Sequence, residues 1–373
     1  MNKNLKIISH VDLKSQWIDE RDELMPIIDK VMSSGKFILE TECENFEESI
    51  AKLCGVKYAT AVNSGTDALM YALTLSGIKK GDEVITPSNS FIASTASIVH
   101  VGATPVFVDV LPNQNIDPSI IEDAITENTK AIMPVHLTGR VCDMDPILEI
   151  AKRHNLIIIE DAAQSIGSKY KGRPSGSLGD VGCFSTHPLK NLNACGDGGF
   201  ITTNNENIYE KIKTFRNHGK INQSNVSHFG MVSRMDNLQA AILNYRLGKL
   251  DSLINKRRDN AKRYFEEIDQ KKIFIPQEES YEFNTYHTFV IQTSHRDELK
   301  EHLLNQGIKT AIHYPVPIHL QPASKSLGYK EGDLPVTEKQ AKEILTIPIN
   351  QYLTNNDIER IISEVNSFNA QCF

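Results

Sequence analysis

One lysine of this sequence, Lys190, lies in a setting that could support covalent chemistry. It follows a short apolar run (Val181 to Phe184), the hydroxyl pair Ser185 and Thr186, and a His-Pro step, and it precedes the turn GDGG and a second apolar run. Burial between strands disfavours the ammonium form, and a neutral lysine can form a Schiff base with a carbonyl. On these residues alone, a solvated loop lysine is equally compatible with the pattern.

Two polar motifs follow other apolar runs. In Asn63-Ser64-Gly65-Thr66-Asp67, a predicted strand turns into a predicted helix, whose free N–H groups form an anion site suited to phosphate. Glu160-Asp161-Ala162-Ala163-Gln164 follows Leu-Ile-Ile-Ile. An aspartate at the end of a buried strand needs a compensating charge, which a pyridinium nitrogen would supply. The alternatives are a helix cap without a ligand and a carboxylate bonded to backbone N–H groups.

Phe91 lies at a further strand end, after Thr-Pro-Ser-Asn-Ser, where it could stack on a flat ring, although by itself it is more typical of a core residue. The four features have joint weight. A phosphate cradle, a stacking aromatic, a carboxylate for a ring nitrogen and a Schiff-base lysine are what pyridoxal 5'-phosphate (PLP) requires. The combination therefore predicts PLP as the cofactor.

The elements that must position these residues alternate between strand and helix patterns. After two helices (17–34 and 42–53), strands are predicted at 58–62, 83–86, 105–110, 131–137 and 156–160, with helices at 66–75, 92–100, 117–125 and 143–153. This alternation is typical of an α/β fold with a mostly parallel sheet covered on both faces. Ligands of such sheets bind at the carboxyl ends of the strands, where all four features lie.

The second half of the chain has a different pattern. It predicts helices at 207–216 and 235–268, then strands at 288–293 and 309–313, a helix at 296–306 and a final helix at 355–368. We therefore expect a large α/β domain over residues 1–250 and a smaller α+β domain over residues 251–373. A chain of 373 residues is long enough for both.

Composition restricts the partners and the compartment. The formal charge of -7 gives no reason to expect nucleic acid or an anionic membrane as a partner. The first twenty residues lack the apolar stretch of a secretory signal, which favours the cytoplasm. The six cysteines have no CxxC spacing and are expected to be reduced, with no metal bound. They are Cys43, Cys54, Cys142, Cys183, Cys195 and Cys372.

The chain resembles, nearly end to end, the DegT/DnrJ/EryC1/StrS family of PLP-dependent nucleotide-sugar aminotransferases. These proteins have the aspartate-aminotransferase fold, fold type I of PLP-dependent transferases. The motifs that carry the resemblance include SGKFI, FEESIAKLCGVKYATAVNSGTDAL, GDEVITPSNSFIAS, PVHLTGRVCDMDPI, IIEDAAQSIGSKYKG, GDVGCFSTHPLKNLNACGDGG, SRMDNLQAAIL and GIKTAIHYPVPIHLQP.

The resemblance implies a role for each of these site residues. Lys190 is implied to be the catalytic Schiff-base lysine, and Asp161 the partner of the pyridine nitrogen. Gln164 would reach the 3'-oxygen of the ring and Phe91 would stack on the ring. Ser185 and the amides of Gly65 and Thr66 would hold the phosphate. The residues implied for the substrate are His187, His313, Tyr314, His319 and Arg234.

The implied reaction is transamination from L-glutamate to a ketone of a nucleotide-linked sugar, for amino sugars of a surface polysaccharide or glycoconjugate. The stretch His313 to His319 resembles members that act on 3-keto sugars more than those that act on 4-keto sugars, which stay the alternative. Related dehydratases carry histidine at the lysine position, so Lys190 argues against that branch. A PLP-binding regulator without turnover is a third interpretation.

Family members complete each active site across a homodimer, which here would bring the loop before Arg234 to the partner's phosphate. Two departures from the family pattern bear on the site. Val232 replaces the asparagine that would contact that phosphate, so binding would depend more on Ser185, the helix terminus or Ser233. Glu40 replaces a glycine and is expected to be exposed rather than part of the substrate pocket.

Overall fold

A computed structural model describes residues 6–368, and its largest sheet has seven strands. The strands, in chain order, are β1 (Tyr58–Val62), β2 (Glu83–Pro87), β3 (Thr104–Val108), β4 (Thr129–Ile132), β5 (Ile157–Asp161), β6 (Lys169–Tyr170), β7 (Arg173–Pro174), β8 (Val181–Ser185), β9 (Gly199–Thr203), β10 (Glu282–Phe283), β11 (Phe289–Gln292) and β12 (Ile344–Ile347). The large sheet has the order β1-β9-β8-β5-β4-β2-β3. Only β9 in this sheet runs antiparallel to its neighbours, which confirms the predicted α/β class.

Helices cover the sheet and continue beyond it. They are α1 (Leu13–Ser34), α2 (Thr41–Cys54), α3 (Gly65–Leu75), α4 (Ile92–His100), α5 (Met144–His154), α6 (Glu206–Phe215), α7 (Asn237–Leu247), α8 (Leu250–Glu267), α9 (Arg296–Asn305), α10 (Pro335–Glu343) and α11 (Asn355–Ser367). Short 3-10 turns lie at Pro118–Ile120, Glu122–Ala124, Leu137–Gly139, Ile318–Leu320 and Pro322–Leu327. Within the described chain, no helix is both long and apolar enough to cross a membrane.

Four sequence-based element predictions were wrong, each for a local reason. The helix predicted at 117–125 is two 3-10 turns, the first opening on a proline. The helix predicted at 235–268 divides at Gly248, a poor helix former. The strand predicted at 131–137 ends at Ile132, because Pro134 has no N–H for the ladder. The strand predicted at 309–313 is a single bridge between Ala311 and Thr346.

The apolar core falls into several clusters. Three of them pack on the large sheet. Another lies around the small sheet of β11 and β12, and includes Tyr264, Phe289, Leu345 and Ile361 together with Ile8. Ile8 pairs with Ile308, so the start of the chain packs on its C-terminal part. That packing carries the residues after Ile8 toward the loop that holds Lys190.

Five of the six cysteines lie in the described part of the chain. Cys43, Cys54, Cys142 and Cys183 are buried free thiols, and Cys195 is an exposed one. No group of three His, Cys, Asp or Glu side chains among residues 6–368 could hold a metal ion. Cys372 lies outside the described residues.

A buried carboxylate, Glu160, holds the end of β5 in place. One oxygen accepts the N–H groups of Leu178 and Gly179, at 2.8 and 2.7 Å. The other accepts the Gly176 N–H at 2.8 Å and lies 2.9 Å from Nε2 of His136. Nδ1 of that imidazole accepts the Cys142 N–H, so Nε2 carries the proton and donates to Glu160. Four donors thus compensate one carboxylate.

The change Glu160→Gln should destabilise the fold. The amide that replaces one oxygen would face donors in either orientation, which costs about 1–3 kcal/mol of unfolding free energy. Urea unfolding followed by circular dichroism measures this. Glu122→Gln, which alters an exposed pair with Arg153, is the matched control and should move the midpoint much less. Equal midpoints for the two variants would contradict the compensation described for Glu160.

Candidate functional site

The predicted site residues lie at the carboxyl edge of the large sheet. Asp161 ends β5 and Ser185 ends the neighbouring β8, while Asn63 follows β1 and Phe91 follows β2. These four strands point the same way, because β9 is the antiparallel member between β1 and β8. Side chains far apart in the sequence therefore meet at one edge, the usual ligand position of such sheets.

Asp161 is buried, with 4% of its surface exposed. Its carboxylate accepts the Ser94 hydroxyl at 2.6 Å and the Ala163 N–H at 3.2 Å. Burial raises the pKa of this carboxyl, and the hydrogen bonds from Ser94 and Ala163 and the charge of Lys190 oppose that rise. Both of these donors are neutral, so the buried negative charge suits a ligand with a cationic nitrogen.

Lys190 lies half-buried in the loop between β8 and β9, and its backbone N–H donates to His187. Burial lowers the pKa of its ammonium group to about 8, against the attraction of Asp161, which raises it. A substantial fraction of the protein molecules therefore carries a neutral Lys190 side chain near pH 8. A neutral amine can act as a nucleophile toward a carbonyl and as a proton acceptor.

The first turn of α3 forms an anion cradle. Ser64 caps the helix by accepting the Asp67 N–H at 3.0 Å, which leaves the N–H groups of Gly65 and Thr66 without an intrahelical partner. A β-carbon on Gly65 would lie 2.7 Å from Cβ of Ser185. Only glycine permits this close approach, which brings a hydroxyl beside the helix terminus. A phosphate group fits these donors.

Aromatic and amide groups complete one wall of the site. The Phe91 ring is 56% exposed, and its centroid lies 6.0 Å from that of Tyr314 at a 44° tilt. Gln164 accepts the Thr138 N–H at 2.8 Å, which fixes its amide orientation. The pKa of the Tyr314 hydroxyl is raised by burial, and a hydrogen bond from Gln164 opposes that rise. The amide is therefore oriented toward the phenol rather than free to turn.

The predicted substrate residues His313, His187 and Arg234 have different surroundings in the structure. His313 bonds Oγ1 of Thr346 at 2.9 Å and senses the charge of Lys190, which together with burial lowers its pKa to about 4. His187 is exposed near the lysine loop. Arg234 donates to Asn217 at 3.0 Å.

His319 is predicted to contact the substrate, whereas in the structure it is buried. It is 2% exposed, with Nδ1 at 2.7 Å from the Ser88 hydroxyl and Nε2 at 3.2 Å from Glu338. Both ring nitrogens are engaged inside the protein. His319 therefore fixes the segment that contains Tyr314 to the end of β2.

The two departures from the family pattern also have clear positions. Val232 is 51% exposed on the loop before Arg234. Ser233 is fully buried, accepts the Asn63 N–H at 3.0 Å and donates to Asp67 at 2.7 Å, so its hydroxyl is not free for a phosphate. Glu40 is half-exposed, and its carboxylate lies 3.7 Å from the Lys36 ammonium group.

Several residues of the site were not predicted from the sequence. Ser94 and Thr138 orient the carboxylate and the amide described above. His10, His287 and Arg257 lie near His313 and Lys190, as their electrostatic effects on one another show. Ser94 and Thr138 lie within the motifs GDEVITPSNSFIAS and PVHLTGRVCDMDPI, but their roles depend on contacts across the chain. His10, His287 and Arg257 lie outside the motifs and come from separate parts of the chain.

The chain is similar over most of its length to known proteins. The model of the DegT/DnrJ/EryC1/StrS aminotransferase family matches residues 18–366. A "pleiotropic regulatory protein" of Geobacillus stearothermophilus is 42% identical over 96% of this chain and 97% of its own. A dTDP-3-amino-3,4,6-trideoxy-alpha-D-glucose transaminase of Streptomyces venezuelae is 40% identical over 96% and 95%. The crystal structure of S. venezuelae DesV with a ketimine intermediate superposes with a TM-score of 0.94, at 40% identity, over 96% and 98%.

The Lys190 amine should titrate with an apparent pKa of about 8. Competitive acetylation of ligand-free protein across a pH series, read out by mass spectrometry of the Lys190 peptide, measures it, since only the neutral amine reacts. Asp161→Asn removes the charge that raises this pKa and should move the midpoint to lower pH. A midpoint near 10.5, the ordinary lysine value, would contradict the described burial.

Proposed function

Since the chain belongs to the DegT/DnrJ/EryC1/StrS aminotransferase family, we propose that it transfers an amino group to a ketone of a nucleotide-linked sugar, with PLP as cofactor. The observation that carries the proposal is that Lys190, whose amine is partly neutral, and Asp161, a buried carboxylate, occur at the same sheet edge and sense each other's charge. PLP chemistry requires two things of a protein: an amine that forms a covalent bond with a carbonyl, and a group that stabilises a cationic ring nitrogen.

The residues present fit the cofactor. The close approach of Gly65 to Ser185 leaves the helix terminus and a hydroxyl for the phosphate, and Thr66 adds an amide. Asp161 would hold the ring nitrogen, Gln164 would reach the ring's 3'-oxygen and Phe91 would cover a ring face. When bound, PLP supplies an electron-withdrawing ring that carries the amino group between the two substrates.

Lys190 performs the proton transfers in this proposal. With its pKa near 8, Nζ can take a proton from the α-carbon of the amino donor. In the second half of the reaction it can donate a proton to the acceptor carbon that gains the amino group. An ionised Asp161 beside the ring nitrogen would favour the protonated ring. Ser94 holds that carboxylate by its short hydrogen bond. The donor and acceptor then use one site in turn, a ping-pong order.

The proposed donor is L-glutamate and the proposed acceptor a 3-keto sugar, with a 4-keto sugar as the alternative. The streptomycete transaminase named for a 3-amino sugar supports the 3-keto assignment. His187, His313, Tyr314 and Arg234 would line the sugar side. In the proposed homodimer, the loop before Arg234 meets the partner's cofactor, where Val232 offers no hydrogen bond to its phosphate.

Adding L-glutamate to the purified yellow protein should convert its visible absorbance to that of the aminated cofactor. Lys190→Ala should retain the fold while turnover falls by at least about a hundredfold, because the general acid and base is lost. Circular dichroism and a coupled turnover assay measure the two effects. Lys262→Ala, at an exposed lysine, is the control and should behave like the unaltered enzyme. Full turnover in Lys190→Ala would refute the mechanism.

A panel of nucleotide sugars tests the ketone position. The aminated enzyme should regain its yellow absorbance with 3-keto nucleotide sugars and change little with 4-keto ones. Recovery with the 4-keto compounds alone would reverse the assignment while leaving the aminotransferase proposal intact.

A PLP-binding regulator is the second candidate, because the relative from Geobacillus stearothermophilus is named a regulatory protein. Lys190, Asp161 and Ser185 would serve either function, and the relatives named as transaminases weigh against a regulator without turnover. The glutamate spectrum discriminates between the two, because a regulator without turnover would stay yellow.

A further inference from the structure

Three histidines from separate parts of the chain lie near one another and near the loop that holds Lys190. His10 belongs to the segment before α1, His287 precedes β11 and His313 follows α9. The rings of His10 and His313 lie 5.6 Å apart, and all three residues are half-buried. His313 is bonded to Thr346, whereas within residues 6–368 Nδ1 of His10 and Nδ1 of His287 are buried without a hydrogen-bond partner.

Arg257 is a buried cation that lies next to His287. It is 5% exposed, and its guanidinium donates to the carbonyls of Tyr286 and His287 and to the side chain of Gln351. These acceptors are all neutral. Burial lowers the pKa of Arg257 to about 10 with no carboxylate charge opposing it, and among the described residues its Nε has no hydrogen-bond partner. A buried guanidinium without a counter-charge is costly, which points to an anion supplied from outside.

The pKa shifts of the three histidines are consistent with a site for an anion. Burial is the main cause that lowers the pKa of His10 and of His313 to about 4. The charges of His313 and Arg257 add to it at His10, and the charge of Lys190 adds to it at His313. Lys190, Arg257 and Gln351 line one small surface pocket, which Asp12 also lines. Positive charge and unpaired polar nitrogens therefore lie near the reactive amine.

We propose that His10 and His287, backed by Arg257, form the subsite that binds a carboxylate of the amino donor. The proposal rests on the aminotransferase function proposed above. The donor's carboxylate is bonded to the same carbon as its amine, so its binding groups must lie near Lys190. His287 senses the charge of Lys190, and His10 lies beside His313, which senses it too. The diphosphate of a nucleotide sugar is four or more bonds from a 3-keto or 4-keto carbon. The cofactor phosphate has its own cradle at Gly65 and Ser185.

The variants His287→Phe and His10→Phe test the proposal, because they keep a ring of similar volume and remove its hydrogen bonds. The two half-reactions are followed separately by stopped-flow absorbance, first with L-glutamate and then with the keto sugar on the aminated enzyme. The donor half-reaction should need about ten to a hundred times more L-glutamate for half-saturation. The acceptor half-reaction should change less than twofold. The control is His302→Phe, at a half-buried histidine that pairs with Glu364.

Titration calorimetry with glutarate, a dicarboxylate without an amine, gives a second readout that does not depend on turnover. Glutarate should bind the unaltered holoenzyme and His302→Phe alike, and bind both site variants at least about tenfold more weakly. Equal binding by all four proteins, or equal losses in both half-reactions, would overturn the subsite. If the unaltered enzyme shows neither half-reaction, the proposed function fails, while the glutarate titration still decides whether an anion site exists. Because the two histidines lie on different segments, one folded variant is enough for the test.

Discussion

The burial of two adjacent carboxylates at the end of β5 is the constraint on which the site depends. Successive side chains of a strand point to opposite faces, so Glu160 and Asp161 need separate compensation. Glu160 receives it entirely from the protein, through three backbone N–H groups and an imidazole. Asp161 receives two neutral hydrogen bonds in the described structure, which leaves its charge available to a cationic ligand. The same strand thus provides a structural anchor and a binding group.

The other elements at this edge are arranged around that second carboxylate. Helix α4 brings Ser94 to it and exposes Phe91 at its own start. The end of β2 also holds the C-terminal segment, because Ser88 bonds His319 and accepts its backbone N–H. This contact keeps Tyr314 opposite the aromatic ring. A residue predicted to touch the substrate instead fixes the residues that can.

The sequence was sufficient for the fold class and for the residues at strand ends, because apolar runs followed by polar motifs are local signals. Lys190, Asp161 and Gly65 all come from such motifs, and the structure brings their strands to one edge. Boundaries failed where a proline or glycine overrode a periodic pattern, as at Gly248. Ser94, His10 and His287 could not be found in this way, because their importance comes from contacts across the chain that no spacing records.

A two-substrate reaction in one site explains why imidazoles suit the position beside Lys190. The donor brings a carboxylate, whereas the sugar that follows brings hydroxyl groups, and each needs hydrogen bonds of a different kind. Imidazoles that are neutral without an anion can serve both, since they donate and accept hydrogen bonds. An additional lysine or arginine exposed there would leave an unpaired charge against the sugar. Arg257 avoids this because it is buried, with Nη1 bonded to two backbone carbonyls and Nη2 to Gln351.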